Sequence, residues 1–324
     1  MEKIDTHCHI IPSGWRRWCE QYGWDKPDGM PEIPAWSPES HIKLMNQLHI
    51  KQSILSITSP GTHLKVGDVE LARRITRETN DEIATVCRQF PDRFKFFASL
   101  PLPDVDGSME EIDRMVGQEG CCGFALMTNA EGYYLGDPRF DPIMQKLNEH
   151  KAVIFMHPAQ CCSIDNPGAD KPLPQYPTPM LEFFFDTTRA VVNLLLTGTV
   201  SRYENLTFLV SHCGATLPPV VERVARFSGV LLKDSMQLSS NQVKEIFRTR
   251  FYFDLAGMPF PDLIHGYLRI GSAGRLLYGS DYPYTPGNMV EALSDTMDEG
   301  LRDLVDDKTR KAIYSGNAQA LFGG

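Results

Sequence analysis

The chain is 324 residues long, with 42% hydrophobic, 10% aromatic and 23% charged residues. That balance excludes a disordered tail or a collagen-like fibre and suits a soluble globular protein with a large core. A net charge of −9 without any run rich in Lys and Arg argues against nucleic acid as a partner, and no apolar stretch approaches the ~20 residues of a membrane span.

In chain order, the segment Met1-Glu2-Lys3-Ile4-Asp5 lacks the apolar stretch of a secretory signal, so a cytoplasmic location is expected. The eight cysteines are then expected as reduced thiols; Cys121-Cys122 and Cys161-Cys162 are vicinal pairs, not the CxxC spacing of a zinc or redox motif. Short apolar runs alternate with longer amphipathic stretches, the pattern of βα units around a parallel sheet. The runs are Ile4–His9, Gln52–Ile57, Phe94–Leu100, Gly123–Met127, Ala152–Met156, Leu206–Val210, Phe251–Leu255 and Arg275–Tyr278. Between them, Ser37-Pro38 reads as an N-cap with proline at the first helical position, leading into His41–Leu48, and Asp68 can cap a helix running to Phe90. Eight units predict an α/β protein consisting of a single (β/α)8 TIM barrel, one domain over residues 1–324. The stretch from His157 to Pro179, rich in Pro, Gly and polar residues, predicts a long loop after strand five that borders the site.

Ile4-Asp5-Thr6-His7-Cys8-His9 ends the first strand with His-x-His; side chains two apart on a strand point the same way, so both imidazoles can reach one metal while Cys8 faces away. His157 ends strand five, His212 follows strand six, and Asp281 follows strand eight. In a barrel these tips surround one mouth, the face that carries catalysis, so the convergence predicts a metal site there. No role is assigned to His41, His49, His63, His150 or His265, which lie in helical patterns or loops where surface or capping roles are the default.

The motifs Ile-Asp-Thr-His-Cys-His, Phe155-Met156-His157-Pro158, Val210-Ser211-His212-Cys213-Gly214-Ala215, Tyr278-Gly279-Ser280-Asp281-Tyr282-Pro283 and Ile313-Tyr314-Ser315-Gly316-Asn317-Ala318 resemble those of the amidohydrolase-related decarboxylases. That family includes the aminocarboxymuconate semialdehyde, resorcylate, dihydroxybenzoate and fungal 6-methylsalicylate decarboxylases. The resemblance implies that His7, His9, His157 and Asp281 bind one divalent metal, zinc first and manganese second, and that His212 is catalytic, with Asp281 a further candidate for proton delivery. Gly123–Met127 runs into Thr128-Asn129 without the bridging Lys or Glu of binuclear relatives, so one metal is expected. His7 stands where the resorcylate branch has glutamate, Lys26 is the only cation near the first βα loop, and Ala159 follows Pro158 where the muconate branch has tryptophan. A dicarboxylate substrate is therefore disfavoured, and the 6-methylsalicylate branch is the most similar. Its implied reaction is conversion of 6-methylsalicylate, a small aromatic carboxylic acid, to 3-methylphenol. Apart from the resemblance, Trp18, Trp24 and Phe183 are candidate apolar pocket walls, with core packing as their default role. Arg223, eleven residues after His212, matches an arginine that the muconate branch reaches into a neighbouring subunit's site to bind substrate, which implies a homodimer; otherwise it is a helix-surface arginine paired with Glu222 or another acid. A metal-dependent hydrolase or lactonase would use the same five residues.

Overall fold

The computed structural model describes residues 1–160, 173–232 and 237–323. Its main sheet has eight strands, β1 (Lys3–His9), β2 (Ile50–Ser56), β3 (Phe94–Ser99), β4 (Cys121–Met127), β5 (Val153–His157), β6 (Thr207–Val210), β7 (Phe251–Asp254) and β8 (Leu276–Leu277), hydrogen-bonded in chain order. All seven pairings are parallel. The strands β4, β5 and β6 are near-continuously apolar because one face packs on helices and the other fills the barrel, whereas β1, Lys3–His9, is mostly polar yet buried throughout.

The expected boundaries lie within two residues of these strands, and the difference at β8 has a physical reason. After Leu277 the chain leaves the ladder and turns in towards β1. The amides of Thr6 and His9 donate to the carbonyls of Tyr278 and Tyr282 at 2.9 and 2.7 Å, and those of Ser280 and Asp281 donate to the His7 carbonyl at 3.0 and 2.8 Å. These bonds close the barrel and set Asp281 beside His7. Gly279 permits the approach, since a methyl group there would stand 2.9 Å from His7 Cβ.

Inside the barrel, Ile4, Ile54, Phe97, Ala125, Val153, Phe155, Leu209 and Leu277 form a small apolar core below the mouth. Phe97 and Phe155 stack with centroids 5.3 Å apart, and Phe155 meets the His7 ring edge-on at 5.0 Å, so the floor of the site is a packed aromatic layer. The helix Asn317–Phe322 seals the opposite end: Phe322 packs on Phe97 at 5.8 Å, and Asn317 Nδ2 donates to the Leu276 carbonyl at 2.8 Å.

The expected caps are present. Ser37 accepts from the Ser40 amide ahead of Pro38–Gln47, and Asp68 accepts from the Leu71 amide ahead of Val69–Gln89. His41 departs from the default surface or capping role: it is buried, its Nδ1 accepts from the Trp36 indole at 3.0 Å, and burial with His9 and Arg93 lowers its pKa to about 3. The middle of the expected loop after strand five, residues 161–172 with Cys161 and Cys162, lies outside the described residues. The other six cysteines are unpaired. Among the described residues no helix is long and apolar enough to cross a membrane.

Candidate metal centre

The strand tips bring together the residues singled out by their spacing. Donor atoms of His7, His9, His157 and Asp281 all lie within 4.8 Å of one another. The three histidines are buried and Asp281 is partly exposed towards the mouth. Asp281 Oδ1 stands 3.1 Å from His9 Nε2 and 3.5 Å from His7 Nε2, while its Oδ2 stands 3.9 Å from His212 Nε2. Cys8 points the other way, its thiol donating to the Ile54 carbonyl in the outer core.

The protein fixes which imidazole nitrogen is free. His7 Nδ1–H donates to Asp254 Oδ2 at 2.9 Å, and His157 Nδ1–H donates to the Pro158 carbonyl at 2.8 Å. His9 Nδ1 lies 3.3 Å from the Ser56 hydroxyl. Each ring is thus held at Nδ1 and aims Nε2 into the cluster, the arrangement by which an outer partner orients a ligating histidine. His7 Nε2 is buried without a hydrogen-bond partner, which is costly unless something else occupies its lone pair. Three imidazole nitrogens and one carboxylate oxygen around an orphaned donor fit a divalent cation of borderline softness.

The electrostatics agree. Burial, together with the neighbouring imidazoles, holds His157 well below its ordinary range, and burial also lowers His9. Burial would raise the Asp281 carboxyl, but the imidazoles of His212, His7 and His9 around it outweigh that and hold the group well below the usual carboxylate range. Burial likewise pulls His7 down, and the Asp254 and Asp281 carboxylates overcome it, pushing the imidazole up to about 10.

His212 sits on the short turn His212–Gly214 after β6, with φ of +56°, and Cys213 and Ala215 also have left-handed backbones. Non-glycine residues in that region cost about 1 to 3 kcal/mol each and persist where the surroundings impose them. Here Asp254 Oδ1 accepts from the His212 amide at 3.0 Å. The ring stacks on Phe184 with centroids 5.8 Å apart, and a methyl group at Gly257 would lie 3.3 Å from its Cδ2. His212 Nδ1 is buried and unpartnered.

Asp254 is the main residue that spacing did not reveal. It is wholly buried at the tip of β7 and holds the His7 ring with one oxygen and the His212 backbone with the other. Its signal was a lone carboxylate ending the apolar run Phe251-Tyr252-Phe253. Asp5 has a similar place in β1: it accepts from the His7 amide, the Ser280 amide and the Ser280 hydroxyl at 3.2, 3.1 and 2.5 Å, and burial pushes it up to about 7.

The apolar walls divide. Phe183 packs edge-on to His157 at 6.0 Å, and Trp24 lines a cavity at the mouth. Trp18 instead donates from its indole to Glu78 under the Arg74 guanidinium, turned towards the helix Val69–Gln89. Arg223 is exposed on the helix Leu217–Leu231 and lies 4.5 Å from the Phe227 ring centroid. Glu222 is taken by Arg226 at 2.7 Å and by the Ser240 hydroxyl, and among the described residues no carboxylate pairs with Arg223.

Comparison with known proteins agrees with this geometry. The amidohydrolase family profile matches residues 4–324. The chain is 33% identical to decarboxylase yanB of Aspergillus niger over 99% of this chain and 88% of that protein. It is 31% identical to the 6-methylsalicylic acid decarboxylase of Penicillium expansum over 99% of this chain and 96% of that one. A dihydroxybenzoic acid decarboxylase from Polaromonas sp. JS666, solved with bound manganese and the inhibitor 2-nitroresorcinol, shares the fold with a TM-score of 0.82 at 20% identity, covering 99% of this chain and 97% of that one. The chain therefore belongs to the amidohydrolase family, and the Aspergillus and Penicillium relatives, matched over most of their length, are decarboxylases.

Proposed function

We propose that this carboxy-lyase removes carbon dioxide without oxidation from an ortho-hydroxy aromatic acid, with 6-methylsalicylate giving 3-methylphenol as the leading substrate and product. The observation that carries the reading is the His7, His9, His157 and Asp281 cluster beside His212, in a chain 31% identical to a 6-methylsalicylic acid decarboxylase. The four cluster residues would hold one divalent ion, Zn2+ first because three imidazoles suit it and Mn2+ second. When bound, that ion would supply Lewis-acid polarisation and charge stabilisation to the bound acid.

Direct loss of carbon dioxide would leave an aryl carbanion in an sp² orbital that the ring cannot delocalise, so the ring carbon bearing the carboxylate must be protonated first. The proton is held by the Asp281–His212 pair, whose Oδ2 and Nε2 are 3.9 Å apart. The pair takes the ortho hydroxyl proton as substrate binds and returns it to the ring carbon, general acid–base work worth roughly 10² to 10⁴ in rate. The carbon–carboxylate bond then breaks, its electrons restore the aromatic ring, carbon dioxide leaves, and the phenolate product takes a proton from water. His212 is free for this because its backbone is fixed by Asp254 and its ring by Phe184.

Salicylate-type acids should therefore release carbon dioxide while the meta- and para-hydroxy isomers do not, and the 6-methyl group should raise kcat/KM over salicylate by roughly tenfold or more. Gas release together with identification of the phenol checks this. Equal turnover of all three isomers contradicts the ortho requirement, and lactone opening without decarboxylation points to the hydrolase instead.

We further propose a homodimer in which Arg223 binds the substrate carboxylate of the neighbouring subunit, as a planar, permanently charged fork can. Support comes from the stripe of Arg223, Phe227, Val230 and Leu231 on one helix, all exposed and spaced so as to share a face. Mixed dimers of Arg223→Ala and His212→Ala subunits should regain activity that neither homodimer has; no recovery despite demonstrated subunit exchange contradicts the shared site.

A further inference from the structure

Beside the metal cluster lies a second feature that the reaction above does not use. It is a cavity of about 110 Å³ at the barrel mouth, with Trp24, Leu64, Leu100, Leu102 and Met127 among its walls. Its walls lie next to the cluster in the chain and the sheet, without sharing a residue with it: Met127 is the register partner of His157, and Ser59, which also lines the cavity, follows Thr58, whose hydroxyl stands 3.5 Å from His157 Nε2. A cavity of about 150 Å³ accepts benzene, so this one is too small for the aromatic ring and larger than a single methyl group needs.

Its far side is built. The strands Asn129–Ala130 and Tyr133–Tyr134 form a hairpin whose two turn residues, Glu131 and Gly132, have φ of +51° and +80°. Positive φ at both central positions is a type I′ turn, which prefers Asn, Asp or Gly, so glutamate there is a costly choice. The turn sends the Glu131 carboxylate across to the segment after β2, where it accepts from His63 Nε2 at 2.6 Å and from the Gly67 amide at 3.0 Å. The Trp24 indole pins a third segment by donating to the Leu64 carbonyl at 2.9 Å. Of the described residues lining the cavity, Glu131 is the only carboxylate and none is lysine or arginine.

We propose that this cavity is a subsite for an uncharged alkyl substituent of about two to four carbons on the aromatic acid, and that it rejects a second carboxylate. The size follows from the volume, and the rejection from a largely apolar wall in which, among the described residues, Glu131 is the only carboxylate and no lysine or arginine faces it. The inference rests on the aromatic-acid reading above and goes beyond it, because the substituent it selects is longer than methyl.

The test compares 2-hydroxybenzoates carrying hydrogen, methyl, ethyl, propyl or carboxylate at position 6, using the metal-loaded enzyme and its Ala130→Phe variant. Ala130 lines the cavity in the hairpin, where an aromatic residue suits the strand. For the unaltered protein, kcat/KM should hold or rise from methyl to propyl and fall by roughly tenfold or more with carboxylate. In Ala130→Phe the propyl-to-methyl ratio should drop by about tenfold or more. Rejection of the propyl acid by the unaltered enzyme, or a ratio that Ala130→Phe leaves unmoved, overturns the subsite. Should no acid in the series be decarboxylated, the reaction assignment fails by itself. Calorimetric binding of phenol and 3-propylphenol then decides the subsite, tighter binding of the propyl compound supporting it and weaker binding overturning it.

Discussion

His7→Ala and His157→Ala should each lose the bound divalent ion and, with it, turnover. Both imidazoles are buried and aim Nε2 into the cluster, so alanine at either leaves three donors and a cavity where a ligand stood. Asp254→Asn should be milder. The amide oxygen can still accept from His7 Nδ1–H, but without the charge that raises ligand basicity, and such outer partners are worth about 10- to 100-fold in metal affinity. Elemental analysis after gentle purification, followed by chelator competition, should rank the proteins as unaltered, Asp254→Asn, then the two alanine variants. Full metal content in His157→Ala would remove that residue from the ligand set.

His212→Ala should do the opposite, keeping most of the metal while kcat falls by roughly 10² to 10⁴. The prediction rests on the 3.9 Å from His212 Nε2 to Asp281 Oδ2, longer than the approaches of His7 and His9 to the same carboxylate. Parallel measurement of metal content and single-turnover rate separates the two roles. If His212→Ala empties the site as His7→Ala does, the division between ligand and proton carrier is wrong.

Much of this site was legible from strand tips alone, because a barrel converts the position at the end of a strand into a position at one mouth. His7 and His9 were readable from the two-residue repeat of a strand, and His157, His212 and Asp281 from their place after apolar runs. Asp254 escaped because its work lies in direction rather than in type: only the fold reveals that one carboxylate faces the His7 ring and the His212 amide together. His63 looked like a loop histidine, and its partner Glu131 lies 68 residues away on a turn that no periodicity marks. His41 carries no sequence signal beyond the default surface or capping role, because the burial imposed by Trp36, Phe94 and Tyr282 comes from residues that only the fold brings around it. The β8 boundary was overextended because Arg275 and Tyr278 continue the pattern, while the bonds to β1 take over from the ladder at that point.

Decarboxylation of an ortho-hydroxy aromatic acid at a metal-dependent site makes carbon dioxide release depend on the bound ion. The most direct measurement is carbon dioxide release from 6-methylsalicylate by one preparation before metal removal, after removal, and after return of one equivalent of Zn2+ or Mn2+ per chain. Stoichiometric carbon dioxide and 3-methylphenol are expected at the start, none after removal, and recovery at one equivalent. Full activity in the metal-free protein would contradict that dependence.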